Sequence, residues 1–213
     1  MYKPVKRLID ILGSALLLFV FSPIVIVSAI AIKLTDNGSI FLTDTPKRVG
    51  KDGKLFFAYK FRTMIPNAYK LLKSDPKFKK AYKEQQESGV YKIKVDPRIT
   101  PIGRIMRKHS IDEIPQLVNV LKGEMSIVGP RPYFKDELEK QQKAYPGTSV
   151  LVKEVLTVKP GITGYWQISG RSEVAFDKRI EMDAYYARKK SILFDILILL
   201  KTPWIMISGK GAF

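Results

Sequence analysis

The sequence contains no cysteine and only one histidine, and these two features exclude several kinds of chemistry. Without cysteine the chain cannot form a disulfide, use a thiolate nucleophile or bind a metal through sulfur. The single His109 cannot supply a multi-histidine metal centre within one chain, so we expect it to have at most a minor hydrogen-bonding role. Chemistry in this protein must therefore depend on carboxylates, hydroxyls, amides and cations.

Acidic residues are also scarce. The chain has 20 Asp and Glu against 37 Lys and Arg, which gives a formal net charge of +17 over 213 residues. Such an excess of positive charge calls for an anionic partner, which could be a nucleic acid, an anionic lipid or a phosphorylated substrate. The length suits one domain with an appendage.

The longest hydrophobic segment runs from Ile11 to Ile32, 22 residues without a charged side chain. A straight helix of this length would reach about 33 Å, which is enough to cross a bilayer core. A cleaved signal peptide fits poorly, because no small-residue cleavage site follows. We therefore place residues 1–36 in a membrane helix and residues 37–213 in a second domain, with Asp36-Asn37-Gly38 as the break between them.

Ser22 and Pro23 interrupt this segment near its middle. Pro23 has no backbone N–H, so the carbonyl of Phe19 needs another donor, and the Ser22 hydroxyl or a neighbouring helix could provide it. Basic residues flank the segment on both sides, whereas a spanning helix should have its basic flank on one side only. We predict a helix that enters the membrane, bends at Ser22-Pro23 and leaves on the same, cytoplasmic side. A kinked spanning helix is the alternative.

Two adjacent acids, Asp112 and Glu113, stand out in this basic chain. The apolar residues between Ile114 and Leu121 recur at helical spacing, which predicts a buried helix with the acids at its amino end. One interpretation is purely structural, because Ser110 and Glu113 fit a capping box. The other is chemical: an anchored carboxylate close to cations such as Arg107 suits phosphate chemistry, as a nucleophile or as a metal ligand.

Lys60 and Arg62 belong to a predicted β-hairpin. Asp52-Gly53 is a favourable turn sequence, and residues 54–64 follow it as a strand. In a regular strand Lys60 and Arg62 would point to the same face, which suits phosphate binding; a solvated strand face is an equally good explanation of the pattern alone.

Two later segments carry further candidate binding residues. Arg131 lies between Pro130 and Pro132, which should restrict where its guanidinium points, and arginine suits bidentate phosphate recognition. The glycine-rich segment 158–171 offers two aromatic faces and the amide of Gln167. Each signal is weak alone, because most glycine-rich loops are simply turns.

The rest of the chain is mostly helical in pattern. Helices are predicted at 68–88, interrupted at Pro76 and ending near Gly89, at 102–108 and at 176–190. Residues 192–207 form an apolar stretch that we expect to lie in the bilayer interface or to pack on the core. With short strands at 39–43 and in the hairpin, this predicts a helix-rich α+β fold with interfacial amphipathic helices.

Together these motifs resemble the bacterial sugar transferases, the monotopic polyprenyl-phosphate phosphoglycosyl transferases. The matching segments occur in the family's order and cover nearly the whole chain. They are Ser22-Pro23, Lys60-Phe-Arg-Thr-Met64, Ser110 to Leu117, Leu121 to Pro132, Lys159-Pro-Gly-Ile-Thr-Gly164, Gln167 and Phe194 to Thr202.

The resemblance implies a membrane-associated, monotopic enzyme with a re-entrant helix, working on the cytoplasmic face of the bacterial inner membrane. It implies transfer of a sugar-1-phosphate from a UDP-sugar to undecaprenyl phosphate, with release of UMP. Asp112 would be the nucleophile and Glu113 its partner, and both would bind Mg2+. The residues expected to bind phosphate or nucleotide are Lys60, Arg62, Arg107, Arg131 and Gln167.

The resemblance also leaves details open. Glu124 stands where the family usually has Asp, so a role of this acid near the metal is undecided. The chain is similar to the minimal catalytic form, without the additional N-terminal membrane domain of larger members. Its end, Gly-Lys-Gly-Ala-Phe213, favours a hexose phosphate, of galactose or glucose, over an N-acetylated sugar.

Partners and rival classes follow from the same features. We expect a UDP-sugar, undecaprenyl phosphate and membrane lipid as partners, and no nucleic acid, while a homodimer stays open. The rivals are a membrane-tethered, basic module that binds nucleic acid without catalysis, and a lipid-binding scaffold in which the acids merely cap a helix. Binding to nucleic acid should fall steeply with salt and should not depend on Mg2+.

Overall fold

The structure of the protein is a computed structural model that describes residues 2–36, 38–88, 93, 95–170 and 174–208. Some sequence-based predictions lie outside these residues. They are the Asn37 part of the domain boundary, the helix end at Gly89, Arg171 of the glycine-rich segment, and the chain end 209–213 on which the sugar preference rests.

Helices dominate the described residues and the strands are short, which confirms the helix-rich α+β prediction. The helices are α1 (Tyr2–Val20), α2 (Ser22–Thr35), α3 (Ala68–Ser74), α4 (Lys79–Ser88), α5 (Pro101–Lys108), α6 (Gln116–Lys122), α7 (Lys135–Ala144), α8 (Thr148–Val155), α9 (Tyr165–Ile168), α10 (Phe176–Lys189) and α11 (Ile192–Ser208). The strands are β1 (Arg48–Val49), β2 (Leu55–Phe56), β3 (Ser126–Val128) and β4 (Gly161–Thr163). The predicted break at Pro76 and the helices 102–108 and 176–190 are confirmed within a residue or two.

The predicted interruption of the apolar segment is present between α1 and α2, whose axes differ by 59°. The Ser22 hydroxyl donates to the carbonyl of Phe19 over 2.7 Å, which is the replacement hydrogen bond that Pro23 makes necessary. Among the described residues, no helix is by itself long and apolar enough to cross a bilayer, and α1 with α2 reaches the required length only as a bent pair.

Large apolar side chains are exposed along α1, α2 and α11. So many exposed large apolar side chains are unusual on a protein surrounded by water and indicate contact with lipid or with another protein. Examples with more than half of the side chain exposed are Leu8, Leu12, Leu16, Phe19, Val27, Leu34, Leu193, Leu200 and Trp204.

The opposite side of α1 is polar and packs on the main domain. Asp10 is 2% exposed, and its carboxylate accepts hydrogen bonds of 3.0 Å from the Ser126 hydroxyl and the Ile127 N–H. Arg7 donates to the carbonyls of Val120 and Leu121 at the end of α6. The bent helix pair is therefore fixed to β3 and α6.

Two small sheets organise the loops around the centre of the domain. β1 pairs antiparallel with β2, with Arg48 opposite Phe56, and Asp52 and Gly53 in the connecting turn both have positive φ, which confirms the predicted hairpin. β3 pairs in parallel with β4. The buried residues of β3, β4 and α6 form the core with α10 and α11.

The predicted long strand after the hairpin is wrong, and so is the short strand at 39–43. Regular pairing ends at Phe56, and farther along the described residues show isolated bridges, from Phe41 to Phe61 and from Met64 to Ile99. Without a regular strand, Lys60 and Arg62 do not share a face.

Arg62 points into the domain instead of toward a binding face. Its guanidinium contacts the Asp36 carboxylate at 2.6 and 2.8 Å and donates to the carbonyls of Ser39 and Met64. The hydrogen bond from Arg62 is the main cause that lowers the pKa of Asp36 below its usual range. Arg62 thus holds the end of α2 on the domain.

We predict that Arg62→Gln lowers the thermal unfolding midpoint in detergent by roughly 5–10 °C. Removing one member of a buried pair costs about 3–5 kcal/mol, and partial exposure of Asp36 reduces this to on the order of 2–3 kcal/mol. Lys83→Gln, which breaks the exposed pair of Lys83 and Glu87, is the matched control and should shift the midpoint little. An unchanged midpoint in Arg62→Gln would contradict the structural role of this arginine.

Candidate active site

The two adjacent acids lie in a 3-10 turn, Ile111–Glu113, one turn before α6 begins. The predicted capping box is wrong, because Ser110 adopts a left-handed backbone conformation with φ of 56° and its side chain makes no capping hydrogen bond to this turn. The turn is held instead by the Phe61 N–H, which donates to the Asp112 carbonyl over 3.0 Å. The loop that carries Lys60 and the turn that carries the acids are therefore fixed to each other.

Lys60 lies directly over the pair of acids. Its Nζ is 2.5 Å from a Glu113 carboxylate oxygen and 3.8 Å from Asp112 Oδ2. The Asp112 side chain is 10% exposed and that of Glu113 is 28% exposed, so Asp112 is the more enclosed of the two. One ammonium group is thus shared between a buried carboxylate and a more accessible one.

Both acids open into a cavity of about 160 Å³ whose walls are rich in cations. Five basic side chains line it, against three acids, so the cavity is suited to an anionic ligand. The basic residues are Arg48, Lys60, Arg98, Arg107 and Arg131, and the acids are Asp96, Asp112 and Glu113. Arg98 is already paired with Asp96 at 2.6 Å, which leaves the other cations as the candidates for binding.

Arg107 reaches the cavity from the last turn of α5. Its Nε donates to the Thr63 hydroxyl over 2.9 Å, which fixes the guanidinium beside the acids. Helix α5 can approach this loop because Gly103 has no side chain: a Cβ there would collide with the Thr63 carbonyl.

Burial raises the pKa of Asp112 above its usual range. Lys60 and, more weakly, Arg107 act in the opposite direction by favouring the carboxylate, while the negative charge of Glu113 raises the pKa further. Asp112 is therefore a poorly solvated carboxyl group whose charged form is favoured by two nearby cations. Carboxyl groups with perturbed pKa values of this kind are common at functional sites.

Arg131 forms part of the opposite wall. Its guanidinium carbon lies 5.4 Å from the ring centre of Trp166, and its backbone N–H donates to Asp183 Oδ2 over 3.2 Å. The Tyr133 hydroxyl donates to the same oxygen over 2.8 Å. Asp183, from the buried face of α10, therefore fixes the backbone of the Arg131 segment from behind.

Close backbone packing shapes this wall as well. A Cβ on Gly161 would collide with the backbone of Gly129, so the Gly129-Pro130 segment and the start of β4 can touch only because both positions are glycine. This contact brings Arg131 and Gln167 to the same cavity.

The structure brings most predicted site residues together. Lys60, Arg107, Arg131, Gln167 and the two acids all line the cavity. Arg62 does not line it, and Glu124 lies elsewhere, where it accepts a 2.7 Å hydrogen bond from Asn119 Nδ2.

Sequence reasoning missed Arg48 and Asp183. Arg48 stacks on Phe134 with 3.3 Å between its guanidinium carbon and the ring centre, and burial lowers its pKa to about 10. The sequence pattern could have indicated Asp183, because this acid interrupts the apolar face that Ile180, Ala184 and Ala187 form on α10. An acid on a buried face of a helix needs a polar partner.

No group of three or more carboxylate or histidine side chains placed to hold a metal occurs within the described part of the chain. The neighbouring oxygens of Asp112 and Glu113 nevertheless fit Mg2+, which is commonly held by one or two carboxylates with water and substrate phosphates as its other ligands.

A model of the family described as "Bacterial sugar transferase" matches residues 1–209, and the chain belongs to this family. It is 41% identical over 212 residues to "Undecaprenyl-phosphate galactose phosphotransferase" of Salmonella typhimurium, with 98% of the chain and 41% of the relative covered. It is 39% identical to "Exopolysaccharide production protein ExoY" of Sinorhizobium fredii, with 98% and 88% covered. It is 37% identical to "UDP-glucose:undecaprenyl-phosphate glucose-1-phosphate transferase" of Escherichia coli, with 98% and 41% covered.

The chain spans about two fifths of the length of several curated relatives that it matches. The matched region of each includes the counterpart of the cavity, because nearly all of this chain is aligned.

Asp183 generates a prediction about stability and pH. Burial raises its pKa to about 7, whereas an unfolded chain would release this proton near pH ~4. The stabilising contribution of protonated Asp183 is therefore fully present below pH ~4 and is lost as the pH rises to about 7. The asparagine side chain in Asp183→Asn does not titrate, so the variant does not lose this contribution. As the pH rises through this window, we therefore expect the thermal midpoint of the variant minus that of the wild type to increase by several degrees.

Thermal midpoints of both proteins in detergent between pH ~4.5 and ~7.5 would measure this difference. Asp44→Asn removes an exposed acid and controls for the loss of one charge. A constant difference between the wild type and Asp183→Asn across the window would contradict the prediction.

Proposed function

We propose that this protein transfers a sugar-1-phosphate from a UDP-sugar to undecaprenyl phosphate and releases UMP. The observation that carries the proposal is the buried Asp112 carboxylate, which faces a cation-lined cavity in a domain fixed to a bent apolar helix pair. The names of relatives at 37–41% identity, which include galactose and glucose phosphotransferases acting on undecaprenyl phosphate, support it.

In the first step the Asp112 carboxylate attacks the phosphorus that carries the sugar. A bond forms between an Asp112 oxygen and phosphorus, the bond from phosphorus to the bridging oxygen breaks, and UMP leaves with that oxygen. Arg107 and Arg131 approach the cavity from two sides and would balance the negative charge of the diphosphate. Lys60 holds Asp112 ionised and is close enough to contact a transferring phosphate.

In the second step an oxygen of the lipid phosphate attacks the same phosphorus. The bond to Asp112 breaks, which restores the carboxylate and leaves the sugar on a lipid diphosphate. Both steps occur at one carboxylate, so the two substrates bind in turn and the kinetics are ping-pong.

The bent pair of α1 and α2 provides the route for the lipid. We infer that it enters the cytoplasmic face of the bacterial inner membrane and returns to the same side, because its basic flanks and its polar attachments to β3 and α6 belong to one aqueous face. The exposed apolar side of α11 would lie in the same leaflet.

Asp112 and Glu113 would together hold Mg2+ in this cavity. When bound, the ion supplies charge neutralisation on the phosphate oxygens. Glu113 is the more exposed of the two acids, so its carboxylate would be the more accessible ligand for the ion.

The donor we favour carries galactose or glucose. Both hexoses occur in the names of relatives that match 98% of this chain. The product would enter synthesis of a surface glycan, and the similarity to ExoY favours exopolysaccharide or capsule over other glycans.

Asp112→Asn should abolish exchange of labelled UMP into the UDP-sugar, with a loss of three orders of magnitude or more, because the amide cannot form the acyl phosphate. Intact-protein mass spectrometry of the wild type with donor and Mg2+ should show the sugar phosphate added at position 112. Because the substitution removes a buried carboxylate, the thermal unfolding midpoint of this variant at neutral pH should be no lower than that of the wild type. Asp44→Asn, at an exposed acid, should keep full exchange.

Exchange that persists in Asp112→Asn would identify another nucleophile. Absence of a covalent adduct in the wild type, together with normal turnover, would indicate direct transfer between the two substrates.

Lys60→Gln tests the electrostatic part of the mechanism. Lys60 is the strongest of the charges that hold down the pKa of Asp112. Its removal should therefore raise this pKa and move the acid limb of the pH–rate profile for UMP exchange to higher pH, while Lys60→Arg should largely restore it. An acid limb that stays in place while KM for the donor rises would mean that Lys60 serves in substrate binding alone.

A further inference from the structure

A second basic cavity lies beside α1 and shares no lining residue with the candidate active site. Its volume is about 220 Å³, and a single acid, Asp10, is among its lining residues. Six basic side chains line it: Lys3, Lys6, Arg7, Lys51, Lys159 and Lys190. The proposed transfer reaction uses none of them.

Some of these cations are neutralised by the protein and others are not. Lys6 pairs with Asp10 at 3.5 Å and with Asp195 at 3.0 Å. By contrast, Lys3 and Lys159 have no hydrogen-bond or ion-pair partner among the residues that the structure describes. Lys51 has only a 3.6 Å contact with Asp52, which is largely exposed. The cavity therefore has an excess of uncompensated positive charge.

Lys159 and Arg7 meet at one edge of this cavity, over Gly123. Lys159 Nζ and Arg7 Nη2 are 3.4 and 3.6 Å from the position that a Cβ on Gly123 would occupy. Burial lowers the pKa of Lys159, and repulsion from Arg7 and Lys51 lowers it further, so these cations lie close enough to repel one another. A bound anion would relieve that repulsion.

The position of the cavity indicates where the anion comes from. Lys3, Lys6 and Arg7 lie on the first turns of α1, and Val5 and Leu8 on the same turns are 45% and 57% exposed. Lys190 precedes α11, on which Leu193 is 76% exposed. The cations thus lie where two exposed apolar helices begin, which is where a lipid phosphate with hydrocarbon chains would be placed.

We propose that this cavity binds the phosphate of an anionic phospholipid and so fixes the start of the bent helix pair at the headgroup level. The site is independent of the transfer chemistry at Asp112. It adds a specific lipid contact to the nonspecific attraction of a basic protein to an anionic membrane.

The test compares two pairs of lysine substitutions in the full chain, purified in a neutral detergent. Lys51→Gln with Lys159→Gln removes two charges from the cavity, and Lys80→Gln with Lys83→Gln removes two from the exposed surface of α4. Native mass spectrometry measures binding of phosphatidylglycerol and of phosphatidylcholine. We expect the wild type to prefer phosphatidylglycerol, the cavity pair to bind it about tenfold more weakly, and the α4 pair to match the wild type.

A second cavity pair, Lys3→Gln with Lys51→Gln, changes no buried group and keeps the test valid if Lys159→Gln impairs folding. Equal losses in the cavity and α4 pairs, or no preference for phosphatidylglycerol in the wild type, would overturn the proposal. So would displacement of the lipid by inorganic phosphate at equal concentration, which would indicate a soluble phosphate as the ligand.

Binding of undecaprenyl phosphate, measured on the same variants, distinguishes this site from the site of the acceptor substrate. A cavity pair that loses only undecaprenyl phosphate, while phosphatidylglycerol binding is unchanged, would also overturn the proposal. UMP exchange measured on the same samples tests Asp112 separately, so either proposal can fail while the other stands.

Discussion

The interaction on which the site depends is the contact of one ammonium group, that of Lys60, with two neighbouring carboxylates. Burial of Asp112 raises the pKa of its carboxyl group, and Lys60 is the main charge that acts against this shift. Lys60 is held in place because the backbone of the next residue, Phe61, is hydrogen-bonded to the carbonyl of Asp112 itself. The ammonium group beside the Asp112 carboxylate and the turn that carries this carboxylate are thus parts of one local structure.

The helices with exposed apolar side chains, α1 and α2, are connected to the cavity through polar groups on their inner side. Arg62 joins the end of α2 to the loop that carries Lys60, and Asp10 joins α1 to β3, next to the strand that leads into α9 and Gln167. These attachments explain how a polar cavity can be held at a fixed height relative to an exposed apolar surface. A helix tethered only by a flexible linker would not define that distance.

Features with local causes could be predicted from the sequence. A proline inside a helix removes a backbone hydrogen bond, so the bend at Pro23 and the need of the Phe19 carbonyl for another donor followed directly. Of the two donors that the sequence suggested, the Ser22 hydroxyl or a neighbouring helix, the structure has the Ser22 hydroxyl. The same holds for the turn at Asp52-Gly53 and for the break at Pro76. The family's motifs also placed Lys60, Arg131 and Gln167, and the proximity of Arg107 to the two acids in the sequence suggested that residue. The structure brings these four to one cavity.

Features that depend on distant partners could not be predicted in this way. The regular alternation of residues 54–62 indicated a strand, but beyond Phe56 the described part of the chain offers this segment isolated bridges instead of a continuous neighbouring strand. Arg62 therefore turns inward to Asp36, a contact that no local pattern encodes. The left-handed backbone conformation of Ser110 was likewise not predicted, and the capping box that the sequence alone made plausible does not form.

The carboxylate of Asp10 has a consequence for biosynthesis. Its hydrogen-bond donors in β3 lie 116 and 117 residues farther along the chain. During translation Asp10 and its neighbour Lys6, with which it forms an ion pair, leave the ribosome long before the donors in β3 exist. A pair of charged groups resists transfer into hydrocarbon. The first turns of α1 must therefore stay hydrated, or be shielded by another protein, until more than half of the polypeptide has been made.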